Sequence, residues 1–124
     1  FRGYYQYTSA PINYASNDYK YLMNRPDSCH IYVLLTDWTA PFEIRTNPKN
    51  QHLLDFSADY VIAYGGITTS ESSDSYIEFD IPLQYRSTSR RPSYILVCAA
   101  ASKYGDYFTG GPSVMYVDDF ELVY

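Results

Sequence analysis

The sequence predicts an all-β domain, an antiparallel two-sheet sandwich or barrel. Short runs of alternating apolar and polar residues recur along it, separated by clusters of Pro, Gly, Asn, Asp and Ser. No long segment repeats apolar residues at the helical period. Tyrosine, which favours strands and half-buried faces, supplies 16 of the 124 residues, within an aromatic fraction of 19%. The length fits one domain with a real core.

In chain order, Arg2 to Tyr7 alternates as a strand, with Tyr5 and Tyr7 on one face and Tyr4 and Gln6 on the other. Thr8 to Ser28 is polar and turn-rich; its Ile12, Tyr14, Tyr19, Tyr21 and Leu22 suggest that it packs down. Cys29 to Leu35 is a strand apolar on both faces, and Asp37 to Pro41, with the only tryptophan, Trp38, ends it. Phe42 to Arg45 is a candidate short strand, Thr46 to Asn50 a turn, and Gln51 to Ala58 has room for a single helical turn. Asp59 to Tyr64 reads as a strand stopped by Gly65-Gly66. Thr68 to Ser75 has almost nothing apolar to bury, so mobility is expected there. Tyr76 to Tyr85 alternates most cleanly, and its Pro82 implies an edge or a bulge. Arg86 to Ser93 is a turn. Tyr94 to Ala100 has no polar face, which predicts a central strand covered on both sides. Val114 to Tyr124 is the last strand.

The formal charge is −5, with no Lys/Arg cluster; nucleic acid and anionic membranes both need a basic footprint, so neither is an expected partner. No apolar run is long enough to form a transmembrane segment. The chain opens on Phe1-Arg2-Gly3 without a signal-peptide pattern and reads as a mature piece or an excised domain. Cys29 and Cys98 allow one disulfide at most, and the apolar run around Cys98 favours a small buried hydrophobe over a bridge.

The end of the chain carries the densest set of ligand-capable residues. Ser102-Lys103-Tyr104-Gly105-Asp106-Tyr107-Phe108-Thr109-Gly110-Gly111, followed by Ser113 to Tyr124 with Asp118-Asp119, resembles the C-terminal signature of the putative carbohydrate metabolism domain, a family of Bacteroidetes-type surface lipoproteins. Gly3 to Tyr7, Asp27 to Leu34, Val61 to Gly65 and Phe79 to Tyr85 agree with it, so the resemblance covers nearly the whole chain. It implies a jelly-roll similar to galactose-binding-like carbohydrate-binding modules. It also implies a role in glycan handling and an exported protein, at the outer membrane, cell surface or periplasm. The family's domain is longer at its N-terminus, so residues 1–124 would be the C-terminal part of it.

On that reading the candidate glycan contacts are Tyr104 and Tyr107, stacking on a sugar face, Asp106, bonding hydroxyls, and Trp38. Phe108 and Gly110-Gly111 fit better as structural plugs and turns. Strict alternation puts Asp118 on the face of Phe120, Leu122 and Tyr124, and Asp119 on the other. As in jelly-roll carbohydrate-binding modules, Asp118 or Asp119 could anchor a structural Ca2+; hydrogen bonding to loop amides is the plainer role. No catalytic residue is assigned: His30 and His52 lack zinc spacing, no nucleophile motif occurs, and Glu78 with Asp80 is an ordinary i, i+2 pair. A non-catalytic module binding an oligo- or polysaccharide therefore leads. A structural or adhesion domain and a glycoside hydrolase are the alternatives.

Overall fold

The computed structural model describes residues 1–45, 47 and 49–123. Its strands are β1 (Arg2–Thr8), β2 (Tyr14–Ala15), β3 (Cys29–Thr36), β4 (Val61–Thr69), β5 (Ile77–Asp80), β6 (Gln84–Tyr85), β7 (Tyr94–Ala100), β8 (Phe108–Thr109) and β9 (Val114–Glu121), with a 3-10 helix at Asn17–Leu22. They form a three-stranded sheet in the order β5-β1-β9, a four-stranded sheet β6-β4-β3-β7 and a small pair β2-β8. Every pairing is antiparallel, as the sandwich reading requires.

The two sheets face each other across Phe1, Ile31, Val33, Phe79 and Ile81, with Tyr5, Ile67, Leu83, Met115 and Leu122 packed around them. Residues directly opposite in antiparallel strands share a face. Ile31, Val33 and Leu35 of β3 therefore point inward together with Ile67, Gly65 and Ala63 of β4 and with Ala99, Val97 and Ile95 of β7. His30, Tyr32 and Leu34 point outward with Ala100, Cys98 and Leu96. Both cysteines are free: Cys29 shares the inward face of β3, and Cys98, opposite Tyr32, is on the outward one. The sheet itself separates them.

Several expectations are corrected. The apolar run β7 is an edge strand, not a central one, and inward-facing Ile95 and Val97 are 44% and 40% exposed. Gly65-Gly66 does not stop β4, which runs through to Thr69. No glycine here has positive φ; Gly65 is needed because a Cβ would come within 2.7 Å of both Ile81 Cγ2 and the Pro82 carbonyl. The cleanest predicted strand, Tyr76 to Tyr85, breaks at Pro82: β5 joins one sheet and β6 the other. The missing N–H thus marks the crossing between sheets. Thr68 to Ser75 is tied down, since Ser9 N–H donates to Ser72 Oγ at 2.9 Å and Ser73 N–H to the Tyr7 carbonyl at 2.8 Å. Phe42 to Arg45 is no strand; Arg45 makes only an isolated bridge to His52. Gln51 to Ala58 forms no helix, only one hydrogen-bonded turn, in which the Ala58 N–H donates to the Asp55 carbonyl at 3.1 Å. Of the expected turn at 46–50, Thr46 and Pro48 lie outside the described residues, as does Tyr124.

One side chain the sequence reading passed over organises the end of the sandwich. Asp27 is 1% exposed. Its carboxylate accepts the Gly110 N–H at 2.9 Å, the Ser113 hydroxyl at 3.2 Å and the Ser28 N–H at 2.9 Å. A buried carboxylate needs such partners. They fasten the terminal loop to the first loop, helped by Asn13 N–H to the Thr109 carbonyl and Ser16 N–H to the Tyr107 carbonyl. Gly110 is buried, and a Cβ there would run into the carbonyls of Ala10 and Pro11. Its role is structural, as expected, but through close backbone approach and not through the left-handed turn expected of it.

Candidate functional site

The segment between β3 and β4 folds over the outward face of the four-stranded sheet. Phe56 stands edge-on over Tyr32 and Tyr64, with ring centroids 5.3 and 5.4 Å away. The terminal loop rises on the other side, and between the two lies a cleft of about 320 Å³. His30 and Tyr32 line it from the sheet, Ile44, Leu53, Leu54 and Phe56 from the covering segment, and Lys103, Tyr104 and Asp106 from the loop. Its volume is at the small end of the roughly 300–1,000 Å³ typical of small-molecule sites.

The polar groups are few and placed. Lys103 Nζ donates to Thr68 Oγ1 at 3.1 Å and lies 5.2 Å from the Tyr104 ring centroid. That bond uses one N–H of the ammonium and leaves others for a ligand. His30 packs against Tyr32 at 4.8 Å. Burial, and then the charge of Lys103, pull its imidazole down to a pKa of about 4, so the ring is neutral near pH 7. Burial, with Cys98 beside it, pushes the Tyr32 phenol up, so it keeps its proton. Tyr104 is 47% exposed, an aromatic face open to a ligand. The arrangement offers ring faces for apolar sugar C–H patches, and N–H, O–H and carboxylate groups for hydroxyls.

Two of the residues singled out from the sequence, Tyr104 and Asp106, meet in this cleft. Tyr107 does not line it; its ring packs on Tyr19 at 5.6 Å, and Phe108 lies between Tyr19 and Tyr104 at 5.4 and 5.3 Å. Trp38 also lies elsewhere. It stacks on Phe42 at 4.9 Å, Phe42 stacks on His52 at 4.1 Å, and Tyr60 and Tyr94 pack beside the indole. That cluster orders the covering segment. His30, Tyr32, Phe56 and Lys103 were missed as site residues. Alternation puts His30 and Tyr32 on one face of β3, but that this face looks outward is learned only from the structure.

The outward face of the three-stranded sheet carries a second, open groove of about 530 Å³, lined by Arg2, Gly3, Tyr4, Glu78, Asp119, Phe120 and Glu121. Arg2 Nε donates to Glu121 at 3.0 Å, and the register sets Asp80 on its other side. The expected alternation at Asp118-Asp119 fails. Asp119 has φ of 51° and the β1–β9 register shifts there, so a bulge resets the strand. Phe120 turns inward against Phe1 and Phe79, at 5.2 and 5.7 Å, while Asp118 shares the outward face of Tyr4. An Asp118 oxygen accepts the Asp119 N–H at 2.8 Å. Both aspartates are exposed, and only Asp119 lines the groove. Among the described residues no group of three or more His, Cys, Asp or Glu side chains converges. Side chains alone therefore do not supply the roughly six to eight oxygens that Ca2+ takes, and an ion at Asp118 or Asp119 would have to draw on backbone carbonyls.

Among the described residues no helix is long and apolar enough to cross a membrane. Residues 1–123 match the family described as "Putative carbohydrate metabolism domain". No curated protein matches the chain. Among solved structures it is similar to a putative glycoside hydrolase from Bacteroides thetaiotaomicron VPI-5482, with a TM-score of 0.68 at 19% identity. That match covers 99% of this chain and 37% of the solved one. At this identity the likeness establishes the fold alone.

Proposed function

Because the chain belongs to the putative carbohydrate metabolism domain family, we propose that it is a non-catalytic glycan-binding module of an exported bacterial protein, at the cell surface or in the periplasm, that takes part in carbohydrate use. The observation that carries this reading is the cleft over Tyr32, where Tyr104 and Phe56 offer ring faces around Lys103, Asp106 and His30. Aromatic walls with a few fixed polar groups suit a sugar ring, which has apolar C–H faces and a rim of hydroxyls. A glycan array with the intact domain, followed by calorimetry on the hits and on Tyr104→Ala, tests it. Retention of an oligo- or polysaccharide that is weakened by Tyr104→Ala supports the proposal. A folded domain that retains none sinks it and leaves the structural or adhesion role.

Glycoside hydrolysis is the second reading, favoured by the name of the solved neighbour and by Glu78, Asp119 and Glu121 around the open groove. Release of new reducing ends from a retained polysaccharide, abolished by Glu78→Gln or Glu121→Gln, would replace binding with catalysis.

A further inference from the structure

The sandwich is open along one side. The link leaving β5 crosses to β4, where Ile81 and Pro82 approach Gly65, so the β5 and β4–β6 edges lie together and the opposite edges, β9 and β7, fall together on the far side. The β9 edge carries the Asp119 bulge and acidic side chains only towards its end, and the β7 edge is unprotected. β7 has no charge, proline or bulge along Tyr94–Ala100, although natural edge strands are normally blunted by such devices. The inward side chains beside this gap, Ile95, Val97 and Val117, are 44%, 40% and 41% exposed, whereas Val33 at the centre of the same face is fully buried.

The connections say what is missing. The chain runs β1, β3, β4, β5, β7, β9, passing from the three-stranded sheet to the four-stranded one, pairing β3 with β4 there, and then alternating between sheets. This is the path of the last six strands of an eight-stranded, double Greek-key jelly-roll. In that topology the first two strands take the two outer places on one side, next to the last strand in one sheet and next to the strand before it in the other. Those places are the free edges of β9 and β7.

We infer that β9 and β7 are pairing sites for two consecutive strands of the same polypeptide lying ahead of Phe1. The strand beside β9 covers Ile95, Val97 and Val117, and the strand beside β7 widens the floor of the cleft past Leu96 and Cys98. The solved neighbour is long enough to supply such strands, since this fold unit accounts for 37% of it. A second copy fits less well. It would set the acidic β9, with Asp118, Asp119 and Glu121, against itself in a chain of charge −5. The inference does not depend on glycan binding.

The test uses the native polypeptide with its residues preceding Phe1. Hydrogen exchange is expected to be as slow in Tyr94–Ala100 and Val114–Glu121 as in Cys29–Thr36, at every protein concentration, with the protein sedimenting as a monomer. Val97→Thr and Val117→Thr, which keep side-chain volume, are expected to lower the thermal midpoint by several degrees, because each buries a hydroxyl. Fast exchange along β7 and β9 overturns the inference, as does an unchanged midpoint in both variants. Protection that appears only with dimer formation overturns it in favour of a second copy.

Discussion

The two outward faces of the sandwich make different kinds of surface from similar strands. On the four-stranded sheet, the long β3–β4 connection lies across His30, Tyr32 and Tyr64, and its Phe56 closes over them. Water is thinned there, enough to hold the His30 imidazole neutral. On the three-stranded sheet no described segment lies across Arg2, Tyr4, Glu78 and Glu121, and the Arg2–Glu121 pair, 45% and 57% exposed, stays in solvent. A charge pair in water contributes little, whereas a few polar groups beside half-buried rings can orient a ligand. The covering segment, more than the number of charged residues, makes one face a candidate site.

The largest effect is expected where the cleft's loop is anchored. Asp27→Ala leaves the Gly110 N–H and the Ser113 hydroxyl without their acceptor in a buried place, and should cost about 3–5 kcal/mol in denaturant unfolding. Asp118→Ala, on the bare face, should leave the denaturation midpoint unchanged. A similar loss in both variants would erase the contrast. Next is the binding contrast. Tyr104→Ala should weaken a retained glycan by about 1–2 kcal/mol, roughly tenfold, while Tyr4→Ala leaves it unchanged, as read by calorimetry.

A smaller effect concerns pH. The His30 pKa lies below its ordinary value of 6.5, at about 4, so the unfolded chain binds more protons between those values. Stability is therefore fully present above pH 6.5 and falls as pH drops towards 4. The loss, discounted for partial exposure, is on the order of 1–2 kcal/mol. His30→Asn should flatten that part of the pH–stability curve measured against the parent; an unchanged slope would deny the cover over His30. The smallest effect is at Arg2→Ala, which should leave the thermal midpoint unchanged at high salt, because its partner Glu121 is exposed.

The strands were legible because each has its own period. Tyr5 and Tyr7 alternate locally, and no distant residue is needed to read them. The cleft was only partly legible, because His30, Phe56 and Lys103 come from three separate parts of the chain and meet only after folding. Tyr104 and Asp106 were found because they sit in a recognisable loop; Tyr107, in the same loop, turned towards Tyr19. The bulge at Asp119 and the sheet change at Pro82 each reset alternation by backbone geometry, which residue type alone does not register. β7 is the instructive case. Its apolar faces describe a strand covered on both sides; residues 1–123 leave its inward face at the rim of an open side, where the inferred upstream strands would cover it.

The place of β1 has a consequence for how the protein is made. Both of its neighbours, β5 and β9, come later in the chain, and β9 ends at Glu121. Asp27 likewise waits for Gly110 and Ser113. Such distant pairings fold slowly and cannot be completed before Val114–Glu121 has been synthesised. A nascent polypeptide stopped before Val114 should stay open to protease, with β1 lacking one edge. Until Val114–Glu121 has been made, the three-stranded sheet is incomplete and the sandwich cannot close on itself.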